Sequence, residues 1–138
     1  MERSLVLIKP DAMRRGLAGT IINRLESQGL KLAAIRMLHL DKELAERHYA
    51  IHREKPFFEG LVKYITSAPI IALVFRGENA IEAIRGIMGP TDPAKASAGT
   101  IRGDFGVDIE QNSVHGSDSP QNAEQEIKLF FREDEIFS

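Results

Sequence analysis

Cysteine is missing from all 138 residues, and so is tryptophan. Without cysteine there is no disulfide framework, no thiolate metal site and no thiol nucleophile. An excess of one charge is also lacking: 18 Lys plus Arg stand against 20 Asp plus Glu, a net charge of -2. That balance gives no reason to expect broad binding to nucleic acid or to a membrane surface. No apolar run approaches the roughly 20 residues a membrane-spanning helix needs. The N-terminus does not show the charged-then-apolar layout of a signal peptide. What is present, 43% hydrophobic and 28% charged residues, is the composition of an ordinary globular domain. The expectation is one soluble, cytoplasmic domain spanning residues 1–138.

Apolar runs place the strands. Ser4–Lys9 closes at Pro10-Asp11, Leu30–Leu40 begins with alternation, and Pro69–Phe75 is buried along its length. Helical spacing marks Ala18–Gln28, with Gly29 after it as a C-cap, then a helix capped by Asp41 and running to about His52. Phe57–Thr66 and Glu78–Met88 carry further apolar stripes. Val114-His115 reads as a short strand, and Ser119-Pro120 opens a last helix, serine at the N-cap and proline at the first position. Gly89–Val114 has no sustained period, and a loop of that length is usually functional or disordered. The order β-α-β-(α-α)-β-α-β-α fits an α+β ferredoxin-like βαββαβ sandwich: a four-stranded antiparallel sheet, helices on one face, an extra helix hairpin and a long loop. A doubly wound parallel sheet is the alternative.

The common backbone phosphate cradles are absent. There is no GxxxxGK[ST] loop, and Gly99, Gly103 and Gly106 are neither GxGxxG nor set between a strand and a helix. Phosphate binding would have to use side chains. Among the four histidines, His48 and His52 have the i, i+4 spacing of a zinc pair, but Tyr49 stands where HExxH needs glutamate; exposed helix histidines are the plain reading. His39 reads as structural. His115 lies in Asn112-Ser113-Val114-His115-Gly116-Ser117-Asp118-Ser119, at the exit of the irregular loop and beside small residues. A neutral imidazole is a competent nucleophile when a second group fixes its tautomer, and Glu126 follows one helical span later. A turn residue is the alternative reading. Lys9, Arg85, Thr91, Lys95, Thr100 and Arg102 would clamp phosphate if they converged, which spacing alone does not show.

The 112–119 block resembles the NxxH-G-S-D signature of nucleoside diphosphate kinases. Four further blocks resemble that family in order: Ser4–Asp11, Lys55-Pro56-Phe57-Phe58 with Gly60-Leu61-Val62, Gly89–Pro93 and Gly99–Phe105. The resemblance implies transfer of the γ-phosphate of a nucleoside triphosphate to a nucleoside diphosphate, by a ping-pong route through phosphohistidine at His115. It implies Glu126 and Ser117 as supports of the imidazole, with Lys9 at the ribose 3′-hydroxyl and transferred phosphoryl and Tyr49 beside it. Arg85, Thr91 and Arg102 would bind the phosphates, Asn112 the ribose, and Phe57, Leu61 and Ile109 the base. Mg²⁺ would be held mainly by the nucleotide phosphates, with Asp118 linked through water. The expected partners are ATP and other nucleotides, deoxy forms included, and further copies of the chain, a hexamer before a tetramer. No membrane and no nucleic acid is expected as a primary partner. The chain ends soon after its last helix, which resembles the bacterial branch. The rival readings are a binding module that has lost catalysis and an RRM-like nucleic-acid binder.

Overall fold

Strand β1 (Glu2–Ile8) opens the computed structural model, which describes residues 1–137. Ser4 through Ile8 are all fully buried. Successive side chains of a strand point to opposite faces, so a strand buried at every position must be covered on both. β1 accordingly lies inside the sheet. With β2 (Lys31–Leu38), β3 (Ile70–Gly77) and β4 (Val114–Gly116) it forms the order β2-β3-β1-β4, each neighbouring pair antiparallel.

Alternation then divides the core in two. Val6, Ile8, Leu73 and Phe75 pack with Ile21 and Leu25 of α2 (Ala18–Glu26) and with Ile84 and Met88 of α5 (Ala80–Met88). Leu5, Leu7, Ala72 and Val74 pack on the other side. Their partners come from α3 (Lys42–His48), α4 (Phe58–Ile65) and α7 (Pro120–Phe130), among them Ala45, Val62, Ile65, Ile127 and Phe130. The ferredoxin-like sandwich is the expected one, and α2 with α5 is its expected helical layer. Helices on a single face is corrected: the hairpin α3–α4 and the last helix cover the opposite face, as the unbroken burial of β1 requires.

The capping signals are used as the residues suggest. The Leu44 N–H donates to Asp41 Oδ1 at 2.8 Å, and the Asn122 N–H donates to Ser119 Oγ at 3.1 Å. The third helix stops at His48 rather than His52, and a 3₁₀ turn, Ala50–His52, follows. A short helix α1 (Pro10–Arg14) extends β1 where only a turn is expected.

The long loop is folded on itself. It holds a 3₁₀ turn at Pro93–Lys95 and a helix α6 (Ile101–Phe105), whose Gly103 N–H donates to Thr100 Oγ1 at 3.0 Å. Gly89, Gly103 and Gly106 of the loop serve close packing. A Cβ at Gly103 would stand 2.0 Å from the Ser97 carbonyl oxygen, and Gly89 takes a φ of +85° against Thr100. No helix among the described residues is long and apolar enough to cross a membrane.

Candidate active site

Three residues of β4 aim the site. Val114 lies opposite Ile8, His115 opposite Leu7 and Gly116 opposite Val6. Val114 and Gly116 therefore face α5, while His115 faces α7. Gly116 is small for a packing reason: a Cβ there would meet Met88 Cε at 2.9 Å. His115 thus projects from a strand clamped from behind.

It opens into a cleft of about 1060 Å³ between the α3–α4 hairpin, the long loop and α7. Lys9, Tyr49, Phe57, Leu61, Arg85, Thr91, Arg102, Ile109, Asn112, His115, Asp118 and Glu126 all line it. Ser117 does not; it is fully buried behind the imidazole. Lys95 and Thr100 stay outside, the first exposed on its 3₁₀ turn and the second spent on capping α6.

The imidazole is held from one side. His115 Nε2–H donates to Glu126 Oε2 at 3.0 Å, and Ser117 Oγ donates to Glu126 Oε1 at 2.6 Å. Ser117 Oγ in turn accepts the Leu5 N–H at 3.1 Å, which ties the carboxylate to the central strand. Burial works to raise the Glu126 pKa, but the bonds from His115 and Ser117 outweigh it and keep the group ionised. A carboxylate at Nε2 fixes the proton there and leaves the Nδ1 lone pair free.

The cationic wall is positioned by carbonyls and amides. Lys9 Nζ donates to Asn112 Oδ1 at 2.8 Å, and Asn112 Nδ2 donates to the Thr91 carbonyl at 3.1 Å. Burial, with Arg102 nearby, brings the Lys9 pKa down to about 8. Arg102 donates to the carbonyls of Gly89 and Val114, so the same residue closes the loop and charges the cleft. Burial and the neighbouring Arg85 lower its pKa to about 10, still cationic at neutral pH. Arg85 is exposed. Burial also raises the Tyr49 phenol, which stays protonated.

Among the further residues that line the cleft, Glu110 and His48 were not expected there. Glu110 lines it, with Oε2 3.6 Å from where a Gly60 Cβ would stand. His48 is the larger surprise, since it is buried rather than exposed, while His52, at the same cleft, packs near the Phe57 ring. Its ring meets His115 edge-on, centroids 4.7 Å apart, and packs by Tyr49 and Phe130. Burial, with His115 beside it, lowers its pKa to about 3, so it is neutral across the physiological range. Its place three residues after Ala45, on the buried stripe of α3, was the available signal.

The backbone beneath the cleft is bent sharply. Ser113 has a φ of +76°. Its carbonyl accepts the Lys9 N–H at 2.9 Å, and its hydroxyl reaches Asp11 Oδ2 at 3.3 Å. Asp11 is anchored by Tyr64, whose hydroxyl donates to Oδ1 at 2.5 Å. A non-glycine residue in this region is uncommon and tends to occur at functional sites.

The family model "Nucleoside diphosphate kinase" matches residues 2–136. A nucleoside diphosphate kinase from Dehalococcoides mccartyi is 60% identical over 136 residues, covering 99% of this chain and 96% of the relative. Among solved structures, a halophilic nucleoside diphosphate kinase from Halobacterium salinarum in complex with CDP superposes with a TM-score of 0.96 at 48% identity, covering 99% of this chain and 91% of that one. The Aquifex aeolicus nucleoside diphosphate kinase gives 0.95 at 42% identity, covering 98% of each chain. The chain therefore belongs to the nucleoside diphosphate kinase family, and is a phosphotransferase that passes the γ-phosphate of a nucleoside triphosphate to a nucleoside diphosphate in two half-reactions.

Proposed function

We propose that residues 1–138 form a single catalytic domain in which His115 carries the phosphoryl group between those half-reactions. The supporting observation is the His115–Glu126–Ser117 chain, which leaves Nδ1 free inside a nucleotide-sized cleft. In the first half-reaction Nδ1 attacks the γ-phosphorus, a P–N bond forms, and the bond to the β-phosphate oxygen breaks. In the second, a terminal oxygen of the incoming diphosphate attacks that phosphorus and the P–N bond breaks. Glu126 holds the Nε2 proton throughout and balances the positive charge that develops on the ring.

Phosphoryl transfer asks mainly for alignment and for neutralisation of spreading negative charge. Lys9, Arg85 and Arg102 supply the charge, with Thr91 as a further phosphate ligand and the Tyr49 hydroxyl beside Lys9. Lys9 and Asn112 recognise the ribose. Phe57 and Ile109 are exposed at the mouth and offer flat apolar contact with the base, next to Leu61. Such contact tolerates every base, because each has a π-face.

Family members need a divalent cation, and Mg²⁺ is the reading for this chain. The donor set suits it as an ion carried on the phosphates. Magnesium takes oxygen ligands and keeps several waters; the Asp118 carboxylate lines the cleft, held by Asn122 Nδ2 at 2.6 Å, and would contact one of those waters. When bound, the ion supplies further charge neutralisation. The Halobacterium relative binds CDP, and nucleotides, ribo and deoxy, are the substrates proposed here.

Intact mass after incubation with ATP and Mg²⁺ tests the reading. One added phosphoryl is expected, absent from His115→Ala; its persistence in that variant would move the carrier elsewhere. The same assay with GTP, CTP and a 3′-deoxy analogue should show indifference to base and sensitivity to the missing hydroxyl. A cytoplasmic homo-oligomer, a hexamer before a tetramer, is also proposed. Exposed Ile35 and Met37 on the edge strand β2 support association, and a monomer in light scattering would refute it.

A further inference from the structure

His48 sits in the cleft wall with both ring nitrogens buried and, among the described residues, without a hydrogen-bond partner. One of them carries a proton, and an orphaned buried donor costs about 1–3 kcal/mol. Buried polar groups are almost always satisfied, so an exception points to something further that the group can bind. What lies in front of it is a donor set. His48 Nδ1 is 3.9 Å from Glu126 Oε2, and His115 Nε2 is 3.0 Å from the same oxygen. The three ligand atoms all fall within 4.8 Å of one another.

We propose that His48, His115 and Glu126 form a site for a borderline-soft divalent ion, Zn²⁺ above all, and that this ion silences the phosphoryl carrier. The second half rests on the assignment of His115 as that carrier; the first does not.

The distances suit the ion. With Zn–N and Zn–O bonds of about 2.0–2.2 Å, two ligand atoms of one tetrahedral ion stand about 3.3–3.6 Å apart. The separations of 3.0 and 3.9 Å bracket that value and the pair His48–His115 lies within 4.8 Å, so small side-chain rotations would bring all three onto one ion. Three protein ligands with a water from the open side of the cleft complete a tetrahedron. Two imidazoles and one carboxylate favour zinc, cobalt, nickel or copper, whereas magnesium prefers oxygen donors. The site is thus chemically distinct from an ion carried on nucleotide phosphates. His48 needs no deprotonation to act as a ligand, since burial already keeps it neutral. Glu126 is ionised.

The inhibitory step is a change of tautomer. With no metal, the Nε2 proton points at Glu126 and Nδ1 holds the free lone pair. When Nε2 coordinates the ion, its proton leaves and the neutral ring re-forms with a proton on Nδ1. No net proton is released from the neutral enzyme, yet the nucleophilic lone pair is gone. Reciprocity requires the converse: a phosphoryl on Nδ1 keeps the Nε2 proton and weakens zinc binding by the same factor.

The full-length enzyme, free of nucleotide, is titrated with Co²⁺ as the spectroscopic probe and then with Zn²⁺. One cobalt per chain is expected, with the intense visible bands of a four-coordinate ion, displaced by zinc. His48→Phe should weaken zinc binding by at least the about 10- to 100-fold that even outer-shell losses cost. Ring ¹⁵N shifts of the wild-type protein give a reading that needs no variant: zinc should move the His115 proton from Nε2 to Nδ1. Enzyme loaded with one zinc and freed of excess should then take up no phosphoryl from ATP and Mg²⁺. A pale six-coordinate cobalt spectrum, an unchanged affinity in folded His48→Phe, or an unmoved His115 ring would overturn the site. If zinc-free enzyme is never phosphorylated at His115, the carrier assignment fails instead, and the cobalt spectrum still decides the site.

Discussion

On the face of the sheet that carries α2 and α5, the core is built from apolar side chains such as Ile21, Leu25, Phe75 and Ile84. On the face that carries α3, α4 and α7, an apolar core of similar extent gives way, at its β4 edge, to His48, Ser117 and Glu126. The two faces share the same strands, and neighbouring residues of β1 and β4 serve one or the other. The contrast shows how a small domain can carry buried polar chemistry. One face supplies cohesion without conflict, and the other tolerates desolvated groups because each, His48 excepted, is hydrogen-bonded to a partner.

Substitutions on the two faces should therefore separate activity from stability. The largest effect is expected from His115→Ala: phosphotransfer disappears while the thermal midpoint stays near that of the parent. A variant that loses its fold together with its activity would erase the distinction. Next is Phe75→Ala on the apolar face, fully buried and expected to cost about 3–5 kcal/mol in denaturant unfolding. The fraction that remains folded should keep its specific activity. A kcat that falls in proportion to stability would instead show the faces to be coupled.

A smaller effect follows from Glu126→Ala. The proposed nucleophile, His115, remains, but its orientation and tautomer are lost, and a decrease of about 10- to 100-fold in the rate of phosphorylation is expected. Rapid-quench measurement checks this, and an unchanged rate would remove Glu126 from the mechanism.

The gentlest test is pH. Lys9 has a folded pKa of about 8 against an ordinary 10.5, so it loses its charge as pH rises through about 8. kcat/KM, which reports the free enzyme, should fall over that range, and Lys9→Arg should flatten the limb. Stability moves the other way. Between about 8 and 10.5 the unfolded chain binds the proton more tightly, so the cost of a buried charged lysine declines as pH rises. Parallel loss of activity and stability across that window would contradict this reading of Lys9.

Much of this was legible in the sequence for physical reasons. Strands buried on both sides leave unbroken apolar runs, and Ser4–Ile8 and Ile70–Phe75 are such runs. Caps at Asp41 and Ser119 announce their helices through the chemistry that satisfies the first N–H groups. The unbroken run in β1 also carried the information that both faces are covered, though the expected helices were assigned to one. Helix α6 escaped because five residues make little more than one turn, too short for a period. Its glycines, placed there by contacts with Ser97 and Pro93, resemble a loop in sequence. The site was legible as an ordered set of motifs. Its convergence was not, since Lys9, Asn112 and Glu126 are brought together by strand pairing across most of the chain. His48 was passed over because a histidine on a short polar helix is usually exposed.

Strand β4 is three residues long, and only its middle residue faces the cleft. Side-chain direction in a strand has a period of two, so a slip of one residue against β1 would turn the imidazole into α5 and present Val114 or Gly116 to the nucleotide. The immediate neighbours of β4 are fixed as well, Asn112 and Ser113 by bonds to Lys9 and Ser117 by bonds to Leu5 and Glu126; only the loop further out can change length at little cost. The strand itself has no such latitude. A single insertion inside 114–116 is a change of parity, and it would silence the enzyme as completely as His115→Ala is expected to, while leaving every residue type in place.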